Sequence, residues 1–202
     1  MLISNFFHLT YCTNIHPGEN WEVTFANLKK HLPEVKKRVA VNKKFGVGLR
    51  LSNKASEELG LGEELHKFKT WLDTNGLYIF TMNGFPYGNF HGIEVKDKVH
   101  LPDWTTKERL EYTKRLFLQL KFLLSSNNNY SGGISTSPIS YRHWFKDEQA
   151  IINAKKEGAD KMLDIAEMLF KIEEETGKYM HCLLYTSPSP RDQRGSRMPS
   201  SA

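Results

Sequence analysis

The chain has 202 residues, 39% hydrophobic and 12% aromatic, which suffices for one substantial core and, by length, one domain. Its formal charge is +5, but in residues 186–202 Arg191, Arg194 and Arg197 face Asp192 alone, so the body carries only +3. So small an excess serves solubility and leaves no footprint for nucleic acid, and no apolar run approaches 18 residues; the body reads as soluble and cytoplasmic, without a transmembrane segment.

Taken in chain order, strands and helices alternate. Residues 6–13 read as a strand that His16-Pro17-Gly18 ends. Trp21, Phe25, Leu28, Leu32, Val35 and Val39 then recur at helical spacing, with Pro33 expected to kink or divide the helix. Residues 45–51 form a second strand, whose Gly46 and Gly48 admit a neighbouring backbone. A helix follows with Ala55, Leu59, Leu65, Phe68 and Leu72 inward, interrupted near Gly60 and Gly62 and closed by Asn75-Gly76. Residues 77–82 are a third, buried strand, and Gly84, Pro86, Gly88 and Gly92 stop it abruptly. Thr105 and Glu108 have the spacing of a capping box for the helix bearing Leu110, Leu116, Phe117, Leu120, Leu123 and Leu124. Residues 132–137 make a fourth strand, and 147–176 a long fourth helix with Ile151, Met162, Ile165, Leu169 and Ile172 inward.

Four successive strand–helix units imply a parallel sheet, since parallel neighbours need a crossover. Either half of a (β/α)8 TIM barrel or an open doubly wound sheet would satisfy that. The barrel is favoured because every strand ends in polar side chains: Thr10, Thr13 and Asn14, then Arg50 and Ser52, then Asn83, then Ser135 to Ser137. No phosphate-cradling glycine motif occupies a strand-to-helix turn. Cys12 and Cys182 lie too far apart to suggest a disulfide framework or a zinc knuckle.

Five residues stand out as candidates for contact with a small-molecule metabolite. Arg50 is the sharpest: a guanidinium inside a strand must be paired, either with a substrate phosphate or carboxylate or with a carboxylate from a neighbouring strand. His16 and His91 sit in strand-end loops, whereas His8 reads as a packed histidine and Lys96 as a solvated lysine. Asn83 either orients a sugar-like hydroxyl or caps its own turn. Tyr87 either stacks on a ring or packs its loop. No strand of the first four ends in a carboxylate, so a complete metal site is not expected here, and no catalytic residue is assigned.

The stretches His8-Leu-Thr-Tyr-Cys-Thr-Asn-Ile-His-Pro-Gly-Glu19, Phe45-Gly-Val-Gly-Leu-Arg-Leu-Ser52, residues 76–92 and Leu101-Pro-Asp-Trp104 resemble the metabolite traffic protein EboE family, within the xylose isomerase-like TIM barrels. The resemblance spans residues 1–180. It implies a sugar phosphate isomerase/epimerase-type barrel from a gene cluster linked to moving secondary-metabolite precursors across the cytoplasmic membrane, with association with other proteins of that cluster. In that family the fifth strand carries a Glu-Pro-Glu-Pro-like segment of the kind that supplies metal-binding carboxylate. Here the chain runs instead Cys182-Leu-Leu-Tyr-Thr-Ser-Pro-Ser-Pro-Arg-Asp192, which looks like translated sequencing-adapter read-through.

The division expected is therefore a partial barrel over residues 1–180 and a disordered, non-native tail over 181–202, with strand 6–13 and the fourth strand left as unpaired edges. Any divalent metal would belong to a longer parent, and the chain as written is expected to be inactive. Three function classes follow: a metal-dependent isomerase or epimerase, a carrier that binds and hands over a metabolite, and an abasic-site endonuclease-type barrel, which the modest charge disfavours.

Overall fold

The computed structural model describes residues 1–3, 7–88, 96–125 and 131–185. Five parallel strands form its sheet, β3 (Thr10–Cys12), β4 (Phe45–Arg50), β5 (Leu77–Asn83), β6 (Gly132–Thr136) and β7 (Met180–Leu184), ordered β3-β4-β5-β6-β7. Spatial order equals chain order, with no point at which the winding reverses. The helices are α1 (Trp21–Val39), α2 (Asn53–Leu59), α3 (Glu63–Thr74), α4 (Lys107–Leu123) and α5 (Glu148–Thr176). Among the described residues no helix is long and apolar enough to cross a membrane.

The alternation of each strand decides which side meets the helices. Phe45, Val47 and Leu49 of β4, Leu77, Ile79 and Met82 of β5, and Ile134 of β6 join Leu28, Leu32, Phe68, Leu72, Leu116, Phe117, Leu120, Ile165 and Leu169 in one core. Burying each such side chain contributes roughly 1.5–3 kcal/mol. The opposite face carries the small and polar Thr10, Gly46, Gly48, Thr81, Gly133 and Ser135, with Cys12 and His181 exposed on it and Tyr78 and Phe80 packed against His8 at its lower end.

β5 does not alternate evenly. Val47 pairs with Ile79 but Gly48 with Thr81, so Phe80 is an extra residue, a β-bulge. The bulge shifts the phase by one. Met82 therefore stays in the core while Thr81 and Asn83 turn to the polar face.

The first expected strand is divided. Phe7–His8 pairs antiparallel with Leu2–Ile3, forming strands β2 and β1, and only Thr10–Cys12 enters the main sheet. Reciprocal bonds between the Met1 and Leu9 backbones close that hairpin. Pro33 neither ends nor divides α1, which runs unbroken because Leu28 and Leu32 on one side and Val35 on the other are held in the core. The interruption at Gly60 and Gly62 separates α2 from α3, with Gly60 at φ 56°. The capping box is not formed by Thr105. Asp103 accepts from the amide and hydroxyl of Thr105 (3.0 and 2.6 Å), and Thr106 caps α4.

The boundary placed at residue 180 falls inside β7. Met180–Leu184 pairs in register with Gly132–Thr136, so the fourth expected strand is internal and the edges are β3 and β7. Gly133 makes this pairing possible: a Cβ there would lie 2.4 Å from the His181 ring. The expectation for residues 186–202 lies outside the described residues.

The close approach at Gly46 gives a test. A Cβ there would stand 2.9 Å from Thr10 Cγ2 and 3.0 Å from the Leu9 carbonyl, whereas one at Gly88 meets nothing within 4 Å. Gly46→Val is expected to cost about 1–3 kcal/mol in urea unfolding, and Gly88→Ala no more than about 0.5 kcal/mol.

Candidate functional site

The carboxyl ends of the strands form a rim on which the following loops are stacked. Arg50 ends β4 and is buried, with 3% of its surface exposed. Its amide donates to Thr13 Oγ1 (2.9 Å) and its guanidinium to the carbonyls of Gly18 (3.1 Å) and Gly88. One side chain thus ties the loop after β3 to the loop after β5. Burial pulls its pKa down while Tyr112 and Glu19 hold it up, and a guanidinium remains charged throughout. These carbonyl acceptors are a third arrangement beside the two weighed from sequence, a substrate anion and a structural ion pair.

His16 lies beside Arg50, both lining a cavity of about 10 Å³ with Thr13, Gly18 and Thr24. That volume admits one water at most. The His16 ring stacks on His31 at 4.1 Å, and its Nε2 lies 2.9 Å from the Tyr11 hydroxyl. Around this corner the structure adds two groups that sequence reasoning passed over. Asn14 Oδ1 and Glu19 Oε2 are buried with no hydrogen-bond partner, and Glu19 is a carboxylate in a strand-end loop, where none was expected.

Asn83 occupies the rim end of β5. Its Oδ1 accepts from the Phe85 amide (2.9 Å), capping its own turn, and from Ser135 Oγ at 3.4 Å. Its side-chain NH2 group is the part left to orient a hydroxyl. Tyr87 packs its loop: its ring meets Tyr112 edge-on at 5.0 Å, with the Arg109 guanidinium 5.5 Å from its centroid. Its hydroxyl side borders a separate cavity of about 210 Å³ between α2 and α4, with Asn53, Glu57, Lys107 and Arg115. His91 lies outside the described residues. His16 and Arg50 are thus brought together, Asn83 meets Ser135, and the Tyr87 ring turns toward the helices.

A second buried arginine escaped the sequence reading. Arg109, wholly inaccessible on α4, donates to the carbonyls of Pro102 and Gly84, both at 2.8 Å, and its second terminal nitrogen has no hydrogen-bond partner. Tyr112, one turn on, donates to the Leu51 carbonyl at 2.5 Å, and burial pushes its phenol up to about 12. Near them His100 is stacked between Phe85 (5.6 Å) and Tyr141 (5.4 Å), its Nδ1 buried and unpartnered. Burial and the Arg109 charge push its pKa down, so it is neutral at pH 7. Asp103, nearly inaccessible, accepts from Thr105 and from Ser140 Oγ, joining the loops after β5 and β6. His100 and Asp103 carried a readable signal: both flank the Leu101-Pro102 pair within a loop of the resembling segment.

A cavity of about 670 Å³ opens elsewhere at this end of the molecule. It lies between the loop after β6 and the first turns of α5, with Ile139, Phe145 and Ile151 as apolar walls and Arg142, His143 and Lys146 as its basic groups. Among the described residues no three His, Cys, Asp or Glu side chains stand together so as to hold a metal ion.

Two measurements check this description. Arg50→Lys retains the charge but cannot reach two turns at once, and is expected to cost about 2 kcal/mol in urea unfolding. His100 binds its proton less readily folded than unfolded, so its contribution to stability is present above about pH 6.5 and is lost as pH falls below that. His100→Gln is expected to flatten the acid limb of the stability profile, leaving the part due to His8, whose pKa burial also lowers. Comparison with family models, with curated proteins and with solved structures returns no match.

Proposed function

We propose that the chain is part of a (β/α)8 barrel of the xylose isomerase-like kind, similar to the EboE family, and that its strand-end rim binds a small polyhydroxylated metabolite. The observation that carries this reading is the strand order. Five parallel strands succeed one another without reversal and the helices pack on one side of them, as in the wall of a barrel. Asn83, Ser135 and neutral His100 then stand at the end of the sheet where such barrels bind ligands. Within the longer parent implied by the resemblance, the activity would be isomerisation or epimerisation of a sugar-phosphate-like substrate by proton transfer beside a carbonyl.

A second reading is a carrier that binds and releases a metabolite without chemistry. What favours it is that Arg50, His16 and Tyr87 have their polar and aromatic groups engaged within the protein, which suits holding loops in shape.

Calorimetric titration of the chain with sugar phosphates and polyols tests both. Binding of one class, weakened roughly tenfold by Asn83→Ala through loss of one hydrogen bond, is the expected result. Exchange of a substrate C–H proton with deuterated solvent, followed by NMR, would favour the enzyme, and binding without exchange the carrier. Binding indifferent to Asn83→Ala would overturn the placement of the site.

A further inference from the structure

We propose that α5 is a dimerisation helix, onto which a second copy of this chain docks antiparallel about a twofold axis at the level of Asp164 and Ile165. The helix runs 29 residues, and three of its flanks are distinct. Ala154, Gly158, Ile165, Leu169 and Ile172 are buried against the sheet and the loop after β6. Gly158 seats Ile139, whose Cγ2 would lie 2.7 Å from a Cβ there. A second flank meets α4 through Lys114–Asp164 (3.8 Å) and Lys121–Glu175 (3.1 Å).

The third flank is apolar and open. Ile152, Leu163 and Phe170 are 51%, 62% and 62% exposed, and Ala159 and Ala166 between them are exposed too. At about 100° per residue these five project within roughly 60° of one another, on the side away from α4. Their spacing of seven, four, three and four is that of a seam between two helices, and it extends over about 27 Å. Single exposed apolar residues need no explanation, whereas an aligned stripe marks an interaction surface.

Charge says which partner fits. Beside the stripe lie Lys155 and Lys156 near its amino end and Glu173 and Glu174 near its carboxyl end, all exposed. A further helix of the same sheet would run parallel to α5, as α4 does, and α5 itself supplies no complement for it. A second copy in antiparallel orientation does: Lys155 faces Glu173 of the second copy on one flank of the seam and Lys156 faces Glu174 on the other. In the same alignment Leu163 faces Ala166 and Ala159 faces Phe170, so each large side chain meets a small one. The apolar seam drives association, while the exposed ion pairs, individually weak, set its direction, because a parallel pairing of two copies would put lysine on lysine and glutamate on glutamate.

Sedimentation velocity of the full chain over a concentration series tests the proposal. A dimer that weakens with added salt is expected, and Leu163→Lys, which puts two cations near the axis, should raise the dissociation constant at least roughly tenfold. Lys155→Glu/Lys156→Glu and Glu173→Lys/Glu174→Lys should each weaken self-association, and an equimolar mixture of the two variants should dimerise again. All these positions are exposed, and circular dichroism melts show that the variants remain folded. A chain that is monomeric throughout would overturn the proposal. So would a dimer that survives Leu163→Lys and both charge reversals, since it would join through another surface such as the edges β3 and β7.

Discussion

Two buried guanidinium groups hold the rim of this molecule together. The loops that follow β3 and β5 are rich in Gly and Pro, so they have few side chains to pack and many carbonyls to satisfy. Arg50 and Arg109 approach them from beneath and donate to Gly18, Gly88, Gly84 and Pro102. Arginine suits the task because its planar fork reaches several acceptors at once and stays charged when buried, although burial draws its pKa down. The loops owe their shape to donors from below, and whatever binds above them meets a surface already formed.

The sheet beneath is asymmetric in the same spirit. On the helix side it is filled with Leu, Ile, Val and Phe, and on the other, apart from Tyr78 and Phe80, it is mostly Gly, Thr and Ser. Glycines at 46 and 133 let a neighbouring strand and the His181 ring come close. A sheet thinned in this way on one side is suited to curving toward it, which the unreversed strand order also allows.

Much of the architecture was legible in the sequence because it is written in residue types. The runs 45–51 and 77–82 are apolar and bounded by turn residues, and the inward Ile165, Leu169 and Ile172 of α5 follow helical spacing. What escaped was written in backbone and register. Arg50 was recognisable as a buried cation, but backbone carbonyl acceptors have no letter of their own, so the partners named for it were carboxylates and phosphates. Arg109 sits in Lys107-Glu108-Arg109-Leu110-Glu111, which reads as a solvated helix face. Thr105 and Thr106 compete for one cap, and Asp103, two residues earlier, settled it by taking both polar groups of Thr105. Residues 181–184 of β7 were assigned to a tail by composition, yet Cys182 and Leu184 pack against the core, where burial pushes the Cys182 thiol up to about 12.

The extra residue at Phe80 works like a shift in a reading frame. Every position in β5 after it is translated to the opposite side of the sheet from the one its sequence parity would assign. Removing Phe80 itself would restore regular alternation and leave Thr81, Met82 and Asn83 on the faces they now occupy, whereas drawing Phe80 into the regular pairing would send Asn83 into the leucine core and Met82 out to the rim. A chain lacking that residue, aligned to this one without a gap, would have its core-facing positions set against rim-facing ones, and a polar strand end could be mistaken for a defect in an apolar core.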